Sequence, residues 1–101
     1  MEQEERIKEF ESHFDNAKEK VFDFSKAIEE FKETQKQVDI VDNYYGSEEW
    51  FMDKDAYELG NISKDIKAGI LSEDEPYELL MENRRLALEM LEIATQILKK
   101  Q

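Results

Sequence analysis

Apolar residues follow a heptad repeat through the first part of the chain. From residue 7 to residue 38 they recur mostly at alternating spacings of three and four, and residues 1–45 contain no Gly and no Pro. This spacing predicts one long amphipathic helix whose apolar stripe pairs with another helix. With Ile7 at position a, nine of the ten a and d positions are apolar. We call these nine residues the heptad seam: Ile7, Phe10, Phe14, Ala17, Val21, Phe24, Ile28, Phe31 and Val38.

The next segment, residues 46–71, holds all three glycines and predicts short helices. Ser47 is the expected N-cap of the first, and Gly60 is expected to end it. Ser63 is expected to cap a second turn that ends at Gly69, after which the chain continues as an extended linker. No alternating strand pattern is present in this segment.

A third segment opens with a capping box, because Glu75 follows Ser72 by three residues. The helix is expected to run to about Lys99. Its apolar positions form two adjacent stripes, which one partner helix cannot cover. The first stripe is Tyr77, Leu80, Ala87, Leu91, Ala94 and Leu98, and the second is Leu79, Leu86, Met90, Ile93 and Ile97.

These patterns predict an all-α fold in a single domain, residues 1–101. Two long antiparallel helices, residues 1–45 and 72–101, are joined at one end by a short-helix connector, residues 46–71. The two stripes of the last helix and the off-seam Phe22 exceed what one helix pair can hide. We therefore predict a homodimer that packs as a helical bundle.

Charge and aromatic residues concentrate around the connector. The chain has 14 basic and 26 acidic residues, a net charge of −12 with His neutral, and residues 46–76 alone carry nine acidic and three basic residues. Six of the eleven aromatic residues lie in or beside this stretch: Tyr44, Tyr45, Trp50, Phe51, Tyr57 and Tyr77. We call residues 44–77 the head.

The head is the expected binding surface, in one of two forms. Its aromatic residues either form a small core, which we favour for most of them, or leave one or two exposed as anchors for a partner. Carboxylates beside them favour a basic partner. The candidate partner-binding residues are Glu48, Glu49, Trp50, Asp53, Asp55 and Tyr57.

The sequence offers little for catalysis or cofactor binding. It has no Cys, its only histidine is His13, and no Gly-rich phosphate loop is present. Asp53, Asp55 and Glu58 supply oxygen ligands of the kind that Ca²⁺ prefers, but their spacing does not match an EF-hand, so a solvated acidic face is favoured. We predict no enzyme activity, no cofactor, and no catalytic or metal-binding residue.

Several strings resemble a family of small acidic bacterial proteins that is catalogued as a domain of unknown function. The resemblance covers nearly the whole chain and brings no activity, cofactor or site residue with it. It supports the helical architecture. Its most specific strings are Tyr44-Tyr45-Gly46-Ser47 and Leu71-Ser72-Glu73-Asp74.

The functional prediction is a non-enzymatic, self-associating protein-interaction module in the cytoplasm, which binds a basic protein through its acidic, aromatic head. The alternative is an acidic nucleic-acid mimic that occupies a DNA-binding protein. Lysines interleaved along the first helix argue against the mimic. Direct nucleic-acid binding is disfavoured by the net charge, and no apolar run is long enough to span a membrane.

Overall fold

The protein is described here by a computed structural model that covers residues 2–100. Within this range it contains three α-helices, one 3₁₀ helix and no strand. The helices are α1 (Gln3–Tyr44), α2 (Glu48–Glu58) and α3 (Asp74–Lys99), and the 3₁₀ helix is Gly69–Leu71. The predicted all-α fold, with two long helices and a short helical connector, is confirmed.

The chain divides into two compact units, residues 1–36 and residues 37–101. The first unit is helical from Gln3 onward, and residues 2–30 are exposed throughout, with only Phe31 and Gln35 half-buried. The seam residues Phe10 and Phe14 keep 62% and 54% of their surface exposed. The predicted dimer and the predicted single domain stay predictions.

A tight turn ends α1 as the sequence predicted. Gly46 has a φ of +79°, which L-residues with a side chain rarely adopt, and the Ser47 N–H donates to the Tyr44 carbonyl at 3.0 Å. Ser47 then serves as the N-cap of α2, since its Oγ accepts a hydrogen bond from the Trp50 N–H at 3.2 Å. Two carboxylates in the first turn of α2, on Glu48 and Glu49, favour the positive end of the helix dipole.

Helix α2 ends at a glycine, also as predicted. Gly60 has a φ of +82°, and its N–H donates to the Tyr57 carbonyl at 3.2 Å. The Asn61 N–H donates to the Ala56 carbonyl at 2.9 Å. This pair of bonds is a Schellman motif, which satisfies carbonyl groups at the helix end.

The role predicted for Gly69 is wrong. Ser63 does cap a turn, because its Oγ accepts from the Asp65 N–H at 3.2 Å, but Gly69 begins the 3₁₀ helix and no extended linker follows it. Its φ is not in the left-handed region. A Cβ at this position would meet the Glu75 carboxylate at 3.0 Å, so the glycine serves close packing against the start of α3.

One of the two bonds of the predicted capping box at the start of α3 is present. The Ser72 Oγ accepts from the Glu75 N–H at 3.1 Å. The reciprocal bond is replaced, because the Ser72 N–H donates to the Gly69 carbonyl at 3.0 Å and the Glu75 Oε2 accepts from the Ser72 Oγ at 3.5 Å instead. Pro76, in the first turn, is buried. Leu80, Leu86 and Met90 are half-buried, so residues of both predicted stripes contribute to the partly covered face. From Leu91 onward the described part of α3 is exposed.

The core of the second unit is small. Val38 and Trp50 are its buried large apolar residues, with 8% and 3% of their surface exposed. The 3₁₀ helix contacts both α2 and α3. This arrangement holds the head in place.

Candidate partner-binding head

Trp50 lies at the centre of the head rather than on its surface. Its indole Nε1–H donates to the Ile70 carbonyl at 2.8 Å, which joins α2 to the 3₁₀ helix. The Tyr45 ring lies edge-on to the Trp50 ring with 5.1 Å between centroids. The Tyr45 hydroxyl donates to the Glu73 carbonyl at 2.9 Å. These contacts link the end of α1, α2, the 3₁₀ helix and the start of α3.

Trp50 is the buried aromatic residue of the head, and Tyr44, Tyr45 and Tyr57 are half-buried. Of these three tyrosines, Tyr45 packs its ring against Trp50. Phe51 is different, because its ring touches the Trp50 ring edge-on at 4.9 Å between centroids while 55% of its surface stays exposed. Tyr77 is 54% exposed. Phe51 therefore offers an aromatic surface that rests on the core.

Asp53 is held by a tyrosine of its own chain. The Tyr44 hydroxyl donates a short hydrogen bond to the Asp53 Oδ2, which ties the last residue of α1 to α2. This bond, helped by partial burial and by the negative charges of Asp53 and Glu49, raises the pKa of Tyr44 to about 12. Asp53 is exposed, but one of its carboxylate oxygens is already engaged.

Two of the head's three lysines are also engaged. Lys54 Nζ lies 2.6 Å from Glu58 Oε1 and 3.8 Å from Glu73 Oε1. The hydrogen bond to Glu58 raises the pKa of Lys54. Lys64 Nζ donates to the Tyr57 carbonyl at 2.6 Å and lies 3.7 Å from the centroid of the Tyr57 ring. Tyr57 is thus covered on one face by a cation of its own chain.

The outward side of α2 combines exposed apolar side chains with carboxylates that form no close ion pair within residues 2–100. We call Glu48, Phe51, Met52, Asp55 and Leu59 the α2 outer face; all five are exposed, and their spacing of three and four places them together on the helix. Met52 is 70% and Leu59 77% exposed. Among the ion pairs of residues 2–100, none includes Glu48, Glu49 or Asp55.

Sequence reasoning missed Met52 and Leu59 as surface residues of the head. Their signal is weak, because α2 carries apolar residues on both sides and so lacks a clear amphipathic pattern. The structure does bring Glu48 and Asp55 together on one face, with Glu49 beside them. It separates Trp50 and Tyr57 from that face, because both turn inward.

The head has little that suggests small-molecule or metal chemistry. No group of three or more His, Cys, Asp or Glu residues within the described residues is arranged to hold a metal ion. Two clefts beside the 3₁₀ helix have volumes of about 230 and 350 Å³. Ligand pockets typically have volumes of about 300–1,000 Å³. The smaller cleft lies below this range, and the larger one lies near its lower end.

The described part of the chain contains no helix that is both long enough and apolar enough to cross a membrane. Its remaining ion pairs lie outside the head and are local to single helices. On α3, Arg85 pairs with Glu82 and with Glu89, which raises the pKa of Arg85 and lowers that of Glu82. These pairs are exposed and contribute little to stability.

Together, the fold and the head define an all-α protein with a small aromatic core and an acidic surface around exposed apolar side chains. The chain belongs to the family described as Domain of unknown function (DUF4298), whose model matches residues 7–93. The predicted membership of a family of unknown function is confirmed. No match was found among curated proteins or among solved structures.

Proposed function

We propose that this protein is a non-enzymatic, self-associating interaction module that acts in the cytoplasm and binds a basic protein through its head. The observation that carries the proposal is the α2 outer face. There, exposed apolar side chains lie beside carboxylates that are not neutralised within residues 2–100. An apolar centre beside polar groups is the usual composition of a protein–protein interface.

The negative charge of the α2 outer face favours a partner with a basic surface. Glu48, Glu49 and Asp55 are exposed and have no ion pair in the described range, whereas Lys54 and Lys64 are held by their own chain. A basic partner gains attraction from the free carboxylates without displacing an internal cation. Asp53 contributes less, because Tyr44 already binds one of its oxygens.

The exposed apolar centre favours a protein partner over nucleic-acid mimicry. A mimic gains from an uninterrupted display of negative charge, but Phe51, Met52 and Leu59 interrupt the carboxylates on α2. Aromatic residues and Met are enriched at protein interfaces. Phe51 is therefore the proposed anchor, and buried Trp50 is its support.

Self-association is the second part of the proposal, and the exposed heptad seam supports it. Large apolar patches on a soluble protein mark surfaces that another element covers. In residues 2–30 every residue is exposed, and the seam residues Ile7, Phe10 and Val21 each keep more than 60% of their surface exposed. Cytoplasmic localisation is compatible with the composition, because a chain without cysteine requires no oxidising compartment to form disulfides.

The head is tested by capturing partners from a lysate of cells that express the protein. The full chain is compared with the triple variant Glu48→Gln, Glu49→Gln and Asp55→Asn, and separately with Phe51→Ala. Both changes are expected to reduce capture of the same partner several-fold, because they remove its charge attraction or its anchor. Added salt is expected to weaken capture of that partner by the unchanged protein, since salt screens exposed charges over a Debye length of about 10 Å.

A matched control carries Glu11→Gln, Glu19→Gln and Glu30→Gln, which alters the net charge by the same amount on exposed positions of α1. This control is expected to keep the partner. Equal loss in both triple variants would show that total charge, and not the head, governs capture. Loss in the control alone would place binding on α1 and refute the proposed role of the head.

A further inference from the structure

The exposed seam of α1 has a defined end. Val38, its last residue, is buried in its own unit with 8% exposure, and Phe31 is half-buried. Ile7 and Val21 are 63% and 65% exposed. The part of the seam that remains for a partner therefore runs from residue 7 to residue 31 and contains eight apolar positions.

This free part of the seam is large enough for a stable contact. Its four Phe side chains each bury about 150–250 Å² when fully covered, and roughly half of the surface of its large side chains is exposed here. Covering them removes roughly 700 Å² per chain, close to the ~800 Å² per partner of a standard interface. A second copy of the same chain supplies a matching seam of the same length.

The spacing of the free seam is symmetric about residue 19. In an antiparallel pair, a positions of one chain meet d positions of the other, so residue numbers in each layer add up to 38. The layers are then Ile7 with Phe31, Phe10 with Ile28, Phe14 with Phe24, and Ala17 with Val21. Every layer is apolar, and each occurs twice.

A parallel pair packs the same residues less evenly. Each residue then meets its own copy, which gives four layers of two Phe residues and one layer of two Ala residues. The antiparallel pair has only two layers of paired Phe and none of paired Ala. Because interiors are close-packed, layers of more even volume leave smaller voids and less strain.

Charge favours the antiparallel pair as well. Residues 2–11 carry five acidic and two basic residues, whereas residues 27–36, which lie opposite them in the antiparallel pair, carry three acidic and two basic residues. An antiparallel pair therefore places the more acidic segment against the less acidic one, and it brings Glu4 opposite Lys32 at flanking e positions. A parallel pair places the two acidic segments 2–11 side by side. It also places the C-terminal ends of the two seams side by side, and each of these ends leads into the strongly acidic residues 46–76.

One local cost opposes this arrangement. Lys18 and Lys20 lie near the symmetry centre, where each faces its own copy. Both are exposed, and Lys18 Nζ lies 5.0 Å from the centroid of the Phe14 ring. In the dimer, long lysine side chains can turn their ammonium groups to water while their stems cover apolar surface. Water therefore screens the repulsion between the facing lysines. The preference for the antiparallel orientation is the larger effect, because it arises from the charges of many residues at the two ends of the seam.

We infer that two copies of this chain associate through residues 7–31 of α1 as an antiparallel coiled coil centred on residue 19. The inference rests on the proposed self-association and specifies its surface and its orientation. Its consequence is that the two acidic heads are attached at opposite ends of the paired seam.

Spin-label distances test the orientation directly, because the chain has no native cysteine. Single Cys variants are made at Glu5 and at Glu19, both exposed f positions away from the seam. In the antiparallel pair, labels at residue 5 are separated by 28 residues along the axis, or about 42 Å at 1.5 Å per residue. Labels at residue 19 are separated only by the width of the pair, about 20 Å.

A long distance at residue 5 together with a short distance at residue 19 supports the inference. Short distances at both positions show a parallel dimer, which overturns the orientation and leaves self-association intact. The absence of an interchain distance at residue 19 overturns both the inference and the proposed self-association. A mixture of chains labelled at Ser12→Cys and at Lys26→Cys should give a short distance, because 12 and 26 also add up to 38.

Light scattering checks that the seam, and not general hydrophobicity, drives pairing. Phe14→Ala on the seam is expected to weaken dimerisation by about tenfold or more, since the dimer loses two buried Phe side chains. Phe22→Ala is the matched control, because Phe22 lies off the seam with a similar exposure of 66%. An equal or greater effect of Phe22→Ala would overturn the assignment of the interface to the seam.

Discussion

The bond between Tyr44 and Asp53 gives the head a titrating contact. It joins α1 to α2, and it holds the pKa of Tyr44 at about 12 rather than at the ordinary value of 10.0. Because the pKa is raised in the folded chain, the bond favours the folded state while the phenol is protonated. This contribution is present below pH 10 and is lost as the pH rises from 10 to 12.

Replacing Asp53 with Asn is expected to lower the pKa of Tyr44 toward 10, because it removes the charged acceptor of the phenol proton. Ultraviolet absorbance follows ionisation of the four tyrosines, with circular dichroism confirming that the chain is folded at each pH. Asp55→Asn is the control, since Asp55 has no bond to Tyr44. The tyrosine ionisation that occurs at the highest pH is assigned to Tyr44. If this step occurs at the same pH in Asp53→Asn and is still present in Tyr44→Phe, the assignment is wrong.

At the residue scale, the sequence showed which aromatic residues gather in the head but not which of them turn inward. Trp50 and Phe51 are adjacent, yet the first is buried and the second exposed. In a helix of 11 residues with apolar side chains on both sides, local periodicity does not select one face. The selection comes from the Ile70 carbonyl, 20 residues away, which accepts the indole N–H.

At the scale of the element, the connector is shaped by its termini. Helix α2 has an N-cap at Ser47 and a Schellman motif at Gly60, so both of its ends satisfy backbone groups locally. A helix of this length has little stability on its own. The hydrogen bonds at its two ends therefore help to keep α2 helical, and with it the position of Trp50 on the helix.

Substitution of Gly60 by Ala is expected to destabilise the second unit by about 1 kcal/mol or more, because a Cβ is strained at a φ of +82°. Gly60→Asn is expected to cost less, since Asn tolerates the left-handed conformation better than Ala. Urea denaturation of the full chain, followed by circular dichroism, measures the difference. Equal stability of the Ala variant and the natural protein would show that the turn relaxes without loss.

Helix boundaries were more predictable than the path between the helices. The glycines at 46 and 60 act through their own backbone angles, which is a local property that the sequence reveals. Gly69 acts through the Glu75 carboxylate, which lies six residues further along the chain. A sequence pattern shows that a glycine is present, but not which neighbour comes close to it.

At the scale of the whole molecule, the proposed self-association bears on the stability of the first unit. Residues 3–30 of α1 are helical, and the apolar side chains of the seam in this range are exposed. In the inferred dimer, burial of the heptad seam contributes about 1.5–3 kcal/mol for each large side chain that is fully covered. We therefore expect the helicity of this unit to depend on protein concentration.

Hydrogen exchange of the full chain should show this coupling. Backbone amides of residues 7–28 are expected to exchange faster when the protein is diluted, because dissociation of the dimer exposes a helix that then unfolds locally. Amides of α2, residues 48–58, serve as the internal control and should keep their protection. Protection of residues 7–28 that does not change with dilution would contradict the dependence on a partner.

The chain has one tryptophan, and its position in the head makes intrinsic tryptophan fluorescence a probe of the head. Trp50 is buried against Tyr45 and bonded to the Ile70 carbonyl, while residues 1–36 contain no tryptophan. Intrinsic fluorescence therefore follows the environment of the head alone, whereas far-ultraviolet dichroism is weighted toward the long helices. Two unmodified signals can thus be recorded on one sample, and the gap between their midpoints measures how independently the two units unfold.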